Sequence, residues 1–311
     1  MDIYGEISSN KRKTILIILA FPLILAALLY ATLWIFYAFS YTPETGQSIS
    51  GQVHGLFLTV LPVLSIISVV WMMISYFKGG DMMMDMAGAK EVNRSAAPEI
   101  YSLVENIAKV AGAPTPKVFI MNTPMLNAFA TGRDPQHAAI ALTTGIISKL
   151  ERPELEGVIA HEMGHIINRD IRTMMLVSTG IGVLTLAGNI LIRLRGRGKN
   201  AKGALLMNII GVVLLIYGAF LAPVIMYALS RQREYQADAT SAYLTRNPLA
   251  LASALGKISG KSELEAASKN AFLSAACIAN ANGKGFSISN LFTTHPPIEK
   301  RIAVLKGIKQ N

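Results

Sequence analysis

Charge is scarce in this chain. Asp, Glu, Lys and Arg make up 15% of its 311 residues, against about 25% in soluble domains. That shortage excludes an ordinary soluble surface over the whole length, and the 52% hydrophobic content agrees. Cysteine is nearly absent. The single Cys277 excludes an intramolecular disulfide and fits a reducing compartment. It lies in an apolar stretch, AFLSAACIA, as a small core residue would. Also missing are a zinc finger, a helix-turn-helix and an aromatic RNA-binding signature. The net charge of +10 therefore points away from nucleic acid. No internal repeat and no long polar tail is apparent.

The basic residues instead flank apolar runs: Lys11, Arg12, Lys13, Lys78, Arg193, Arg195, Arg197 and Lys199. Anionic lipid headgroups attract such flanks. Four stretches read as membrane segments, near 14–40, 55–77, 174–192 and 205–229. Each offers roughly 19 or more largely uncharged residues, enough at ~1.5 Å per residue to cross a ~30 Å hydrocarbon core. The last two carry several Gly, Thr and Asn residues, so a buried soluble hairpin is an alternative for that pair. The first follows Lys11-Arg12-Lys13 like a signal peptide, but its apolar run exceeds the ~7–15 residues of a signal sequence. An uncleaved anchor is expected. The loop 41–53 has no Lys or Arg, which places the amino terminus and the region after Phe77 in the cytoplasm. The basic loop RLRGRGKNAK resists that scheme, since two further full crossings would put it outside.

Between Lys78 and Ile171 the chain turns mixed and globular. Met82, Met83, Met84 and Met86 suggest a flexible connector. Apolar spacing predicts a helix over 98–111, ended by Gly112. Short strands are expected at 116–121, 127–131 and 138–142, separated by turn residues. A further helix is predicted over 151–172, with Pro153 in its first turn. Helices follow at 231–245 and 249–259, broken by Asn247-Pro248.

Chemistry concentrates in Val158-Ile-Ala-His161-Glu162-Met163-Gly164-His165. Helix positions i and i+4 share a face, so both imidazoles can reach one ion. Glu162, rotated by ~100° from His161, would lie beside the ion and take a proton from a water. This is the HExxH zinc pattern. A catalytic zinc needs a third protein ligand and an open position. Glu234 is the best candidate, with Asp238 one turn later to accept the outer N–H of a ligating imidazole and fix its tautomer. A solvated acidic face is the plainer alternative for that pair. Small Ala237 and Ala239 would let this helix pack closely on another.

Here the chain resembles the HtpX family of membrane zinc metallopeptidases, relatives of the CAAX prenyl proteases. The matching stretches are NAFATG (127–132), LEGVIAHEMGHIINRD (155–170), SRQREYQAD (230–238) and THPP with Arg301 following (294–301). The resemblance covers nearly the whole chain. It implies an α+β, mainly α, gluzincin-like zinc protease domain with a small β-sheet, fused to about four transmembrane helices. It further implies one Zn2+ per chain held by His161, His165 and Glu234, with Glu162 catalytic. Asn127, Ala128, Phe129 and Ala130 are implied to be an edge strand that holds substrate. An extended peptide can add to such an edge through main-chain hydrogen bonds. An ordinary internal strand is the alternative. His295, fixed by the two prolines after it, is a candidate donor to the oxyanion or a structural turn residue. His54 and His137 read as structural, and Asn168, Arg169 and Asp170 as an anchor closing the catalytic helix.

The expected organisation is a pair of membrane helices (1–77), a first catalytic part (78–172), a membrane hairpin (173–229) and a second catalytic part (230–311). The expected reaction is hydrolysis of peptide bonds in polypeptides, membrane proteins in particular, near the lipid bilayer. Two rivals stand beside it: a CAAX-type prenyl protease and a zinc-stabilised scaffold without turnover.

Overall fold

The computed structural model describes residues 3–40, 48–193, 201–259 and 298–308. Two long helices come first, α1 (Ile3–Ser40) and α2 (Ile49–Met86), packed on each other. Ser48 caps α2 by accepting from Gly51 N–H. No charged residue interrupts α2 before Lys78, and apolar side chains from Leu58 to Phe77 lie exposed along it. Among the described residues it is the one helix long and apolar enough to cross a membrane, with shorter apolar runs at Ala26–Ala38 and Met207–Ile216. The expected methionine connector is helix instead. Met83 and Met84 are buried in the last turns of α2, because they pack beneath the sheet that follows.

That sheet contains β1 (Ala89–Val92), β2 (Lys117–Met121), β3 (Ala128–Gly132) and β4 (Ala138–Thr143). Helix α3 (Pro98–Val110) connects β1 to β2, and a 3-10 turn (Pro135–His137) precedes β4. Gly112, at φ +63°, follows α3 as the left-handed residue that ends a helix. Strand order is β1-β2-β4-β3, with β2 and β4 parallel and the other pairs antiparallel. Strand β1 was not legible in the sequence.

Side chains alternate between the faces, as the pleat requires. Val118, Ile140 and Leu142 join the core formed with α3. Phe119, Ala139 and Ala141 face Met83, Met84 and Met175 on the other side. The sheet thus lies between α3 on one face and the end of the long apolar α2 on the other.

After α4 (Thr144–Lys149) comes α5 (Arg152–Ile167), which carries the HExxH pattern. Glu154 anchors its start. Its carboxylate accepts from Glu151 N–H at 2.8 Å, Ser253 Oγ at 2.6 Å and Lys257 Nζ at 2.7 Å. Burial alone would raise its pKa, but these donors hold it below the ordinary carboxylate range. A lowered native pKa contributes stability above the unfolded value of ~4.3, and that contribution fades as pH falls below it. Lys257 is 40% exposed, so solvent screens part of the pairing. Glu154→Gln is expected to destabilise by about 1–2 kcal/mol at pH 7. Thermal unfolding should show the gap to wild type closing below about pH 4.

The predicted helix 151–172 is in fact two. Arg169 takes φ +59°, its N–H bonds Ile166 C=O, and α6 (Asp170–Arg193) starts afresh at Asp170. Helix α7 (Ala201–Thr245) then runs unbroken for 45 residues, from an apolar start to the SRQREYQAD stretch. Helices α6 and α7 approach closely at Gly188 and Gly211, where an added Cβ on Gly188 would meet Gly211 O at 2.8 Å. Helices α8 (Pro248–Ser259) and α9 (Ile298–Gly307) pack on each other and against α7, and α8 also packs against α5.

Candidate metal centre

The site forms where α5 meets α7. Gly164, between the two histidines, permits the approach: a Cβ there would lie 3.1 Å from Ala237 Cα and 3.2 Å from Thr240 Cβ. Ser241 Oγ donates to Gly157 C=O at 2.7 Å and fixes the register between the helices. Ala237 is buried in this contact, whereas Ala239 is exposed and takes no part. Ala239 lies two positions on, about 200° around the helix.

This packing brings His161, His165 and Glu234 together, with ligand atoms within 4.8 Å of one another. The Nε2 atoms of the two histidines are 3.2 Å apart. Glu234 reaches them at 3.6 Å (His161) and 3.5 Å (His165). Both outer nitrogens face carboxylates. His161 Nδ1 is 2.9 Å from Asp238 Oδ1, and His165 Nδ1 is 2.9 Å from Asp170 Oδ2. Each Nδ1–H donated outward leaves an Nε2 lone pair turned inward. Two such lone pairs and a carboxylate converging in a buried space suit a divalent cation, and the donor set of two imidazoles and one carboxylate suits zinc.

Asp170 answers why the long helix breaks. A continuous helix would place it five positions on from His165, about 140° around the axis, and the left-handed Arg169 swings it back to the imidazole. The sequence reading missed this role, and only the His-x4-Asp spacing hints at it.

Arg301 was also missed as a working part. Wholly buried at 0% exposure, it reaches in from α9. Nε donates to Asp238 Oδ2 at 2.8 Å and Nη2 to Asp238 Oδ1 at 2.6 Å, a two-pronged pairing. Nη1 lies 3.1 Å from Glu234 Oε2. Burial would raise the Asp238 pKa, but the guanidinium and His161 hold it low. Burial likewise acts downward on His161, yet hydrogen bonds with Asp238 and Glu234 push it up to about 9. A cation entering between the Nε2 atoms displaces that proton, so binding strengthens with rising pH. Asp238→Asn is expected to weaken metal affinity 10–100-fold, measurable by competition with a chelating dye.

Glu162 is buried next to His161 on α5. Asn127 to Ala130 lie at and in β3, an edge of the sheet, buried or half-buried, and α5 packs against this strand. His295 and Cys277 lie outside the described residues. His54 bonds Tyr30 Oη and Ser50 instead of joining the site. His137 pairs with Asp134.

The model of Peptidase family M48 matches residues 94–309. The chain belongs to that family. Similar proteins include the Protease HtpX homolog of Ligilactobacillus salivarius (strain UCC118), 39% identical over 96% of this chain and 98% of that protein. The Protease HtpX homolog of Bacteroides fragilis (strain YCH46) is 37% identical over 96% of both chains. That of Caldanaerobacter subterraneus subsp. tengcongensis is 38% identical over 98% of both. The crystal structure of S. mikatae Ste24p overlays with a TM-score of 0.49 at 20% identity, covering 97% of this chain and 66% of that one. The expected HtpX resemblance therefore holds over nearly the full length. The M48 match covers α5, Glu234 and Arg301 alike, and the protein is a membrane-bound metalloprotease.

Proposed function

We propose that the protein is a zinc endopeptidase holding one Zn2+ per chain through His161, His165 and Glu234, and that it hydrolyses misfolded or damaged membrane proteins. The convergence of two imidazole Nε2 atoms and one carboxylate, each on a helix joined to the apolar hairpin, carries this reading.

Zinc at this position supplies Lewis-acid chemistry, polarising the scissile carbonyl and lowering the pKa of the attacking water toward ~7. Glu162 takes the proton of that water and later delivers it to the leaving amine. Asp238 and Asp170 hold the imidazoles in one tautomer and one orientation. Asp238 is itself fixed by Arg301. Substrate would lie extended along β3, which pairs with β4 on one side only among the described residues. Main-chain pairing there binds peptide with little demand on its sequence, as suits a quality-control enzyme. His295 is the candidate donor to the developing oxyanion.

All four apolar stretches would span or enter the bilayer, with the amino terminus and the catalytic parts on the cytoplasmic side. The domain division at 77, 172 and 229 follows from that. Helices α6 and α7 would then tether the two halves of the metal site at the membrane surface, within reach of membrane-protein substrates.

A membrane-protein substrate in detergent tests the proposal. Cleavage should stop with a zinc chelator and return with added Zn2+, at about one ion per chain by elemental analysis. Cleavage that persists in metal-stripped protein would remove the metal from the reaction. Zinc binding without turnover would favour the scaffold reading.

A further inference from the structure

On the face of the sheet that looks toward the apolar helices, a cavity of about 310 Å³ opens between the end of α2, the loop after β3 and the start of β2. Met84, Phe119 and Ala139 are among the apolar residues that line it. Lys78, Lys117 and Arg133 line it, with Asp81 as the one carboxylate among the lining residues. Each of the three cations has a carboxylate within 4.0 Å. Lys78 lies 4.0 Å from Asp81 and Lys117 3.4 Å from Glu91. Arg133 lies 3.6 Å from Asp134, which also pairs with His137. Lys78 and Lys117 are mostly exposed, and at 4.0 and 3.4 Å their ion pairs are weak surface pairs that a phosphate can displace.

Its depth relative to lipid follows from α2. Leu58 to Phe77 is the exposed apolar stretch of that helix, and at ~1.5 Å per residue it matches a ~30 Å hydrocarbon core. Tyr76, Phe77 and Lys78 then mark the boundary, aromatic and cationic as boundaries are. All three line the cavity. Arg133 ties the boundary to the sheet, with Nη1 donating to Phe77 C=O at 3.4 Å and its guanidinium 5.3 Å from the Phe77 ring. Exposed Met73, Ile74 and Phe77 continue the apolar surface from the cavity mouth down α2.

We propose that this cavity binds the phosphate-bearing headgroup of an anionic phospholipid, whose acyl chains run along α2. The cations face the phosphate, and the apolar lining takes the glycerol backbone. A zwitterionic lipid also presents an ammonium, which the same three cations repel. The inference rests on α2 crossing the bilayer and is independent of the hydrolytic reading.

The test is native mass spectrometry of the full-length protein in neutral detergent, titrated with phosphatidylglycerol or phosphatidylcholine. One phosphatidylglycerol per chain is expected at concentrations that retain no phosphatidylcholine. Lysines near an anionic headgroup contribute a factor of roughly five each, so K78Q/K117Q should weaken retention roughly 20–30-fold. K78R/K117R should restore it. K109Q/K149Q removes the same charge outside the cavity and should leave retention unchanged. Equal retention of both lipids, or equal loss in the two glutamine variants, overturns the proposal. So does full displacement by millimolar inorganic phosphate, which would make the site one for a free anion. Peptide cleavage by K78Q/K117Q in the same detergent should match wild type, so the hydrolytic reading stands or falls separately.

Discussion

Glu162→Gln should lower peptide hydrolysis by roughly 10²–10⁴-fold, the range of general acid–base catalysis, while bound metal stays at the wild-type level. The expectation follows from where α5 puts the side chain. Glu162 is buried one position from His161, turned by ~100° away from the ligand face. It is not in the group of atoms that can hold the ion, so the amide should leave coordination intact. Glutamine keeps the shape and loses only the ability to take a proton. Elemental analysis and a cleavage assay on the same preparation separate the two effects. Equal rates at equal metal content would remove Glu162 as the base.

Arg301→Met should be the most damaging change to the architecture of the centre. The guanidinium is fully buried and faces two carboxylates, Asp238 and Glu234. Taking away one partner of a buried ionic network costs about 3–5 kcal/mol, because the charge left behind has lost its compensation. Asp238 would then shift away from His161, or draw a proton, and the imidazole would lose its orientation. Lower thermal stability and faster metal loss to a chelator are both expected. Arg301→Lys should recover only part, since an ammonium cannot make the two parallel bonds to Asp238. The double variant R301M/D238N should be less destabilised than the sum of its parts, because it removes both sides of the pair. Wild-type stability and metal retention in Arg301→Met would show that the arginine does not hold the site.

What the sequence made legible was local. His161, Glu162 and His165 stand at helical spacing within five residues, and helix geometry alone places both rings on one face. The three strands β2, β3 and β4 were expected within a residue or two, because turn residues bound each one. Strand β1 is only Ala-Lys-Glu-Val beside a methionine-rich helix end, and its pairing with β2 depends on residues nearly thirty positions away. Asp170 was read as a headgroup or hydrogen-bonding anchor, without His165 as its partner, because Arg169 gives no sign of a left-handed turn, a conformation glycine or asparagine would have announced. Arg301 is 63 positions from Asp238, and no periodicity connects them. A buried long-range ion pair is a property of packing, so the arginine could be matched as part of a family stretch without its partner being visible.

The unbroken course of α7 has a consequence for how this chain can vary. Near one end its Gly211 is seated against Gly188, and toward the other Ala237 is seated against Gly164. These two seats set the rotation of one rigid rod. Inserting or deleting one residue between them would turn the lower contact through ~100° relative to the upper, carrying the Glu234 carboxylate off the imidazoles. A change of seven residues turns it by only ~20°. Length in this helix is therefore quantised: the apolar portion can grow or shrink by pairs of turns, and intermediate lengths would put the apolar half and the His161–His165–Glu234 cluster out of phase.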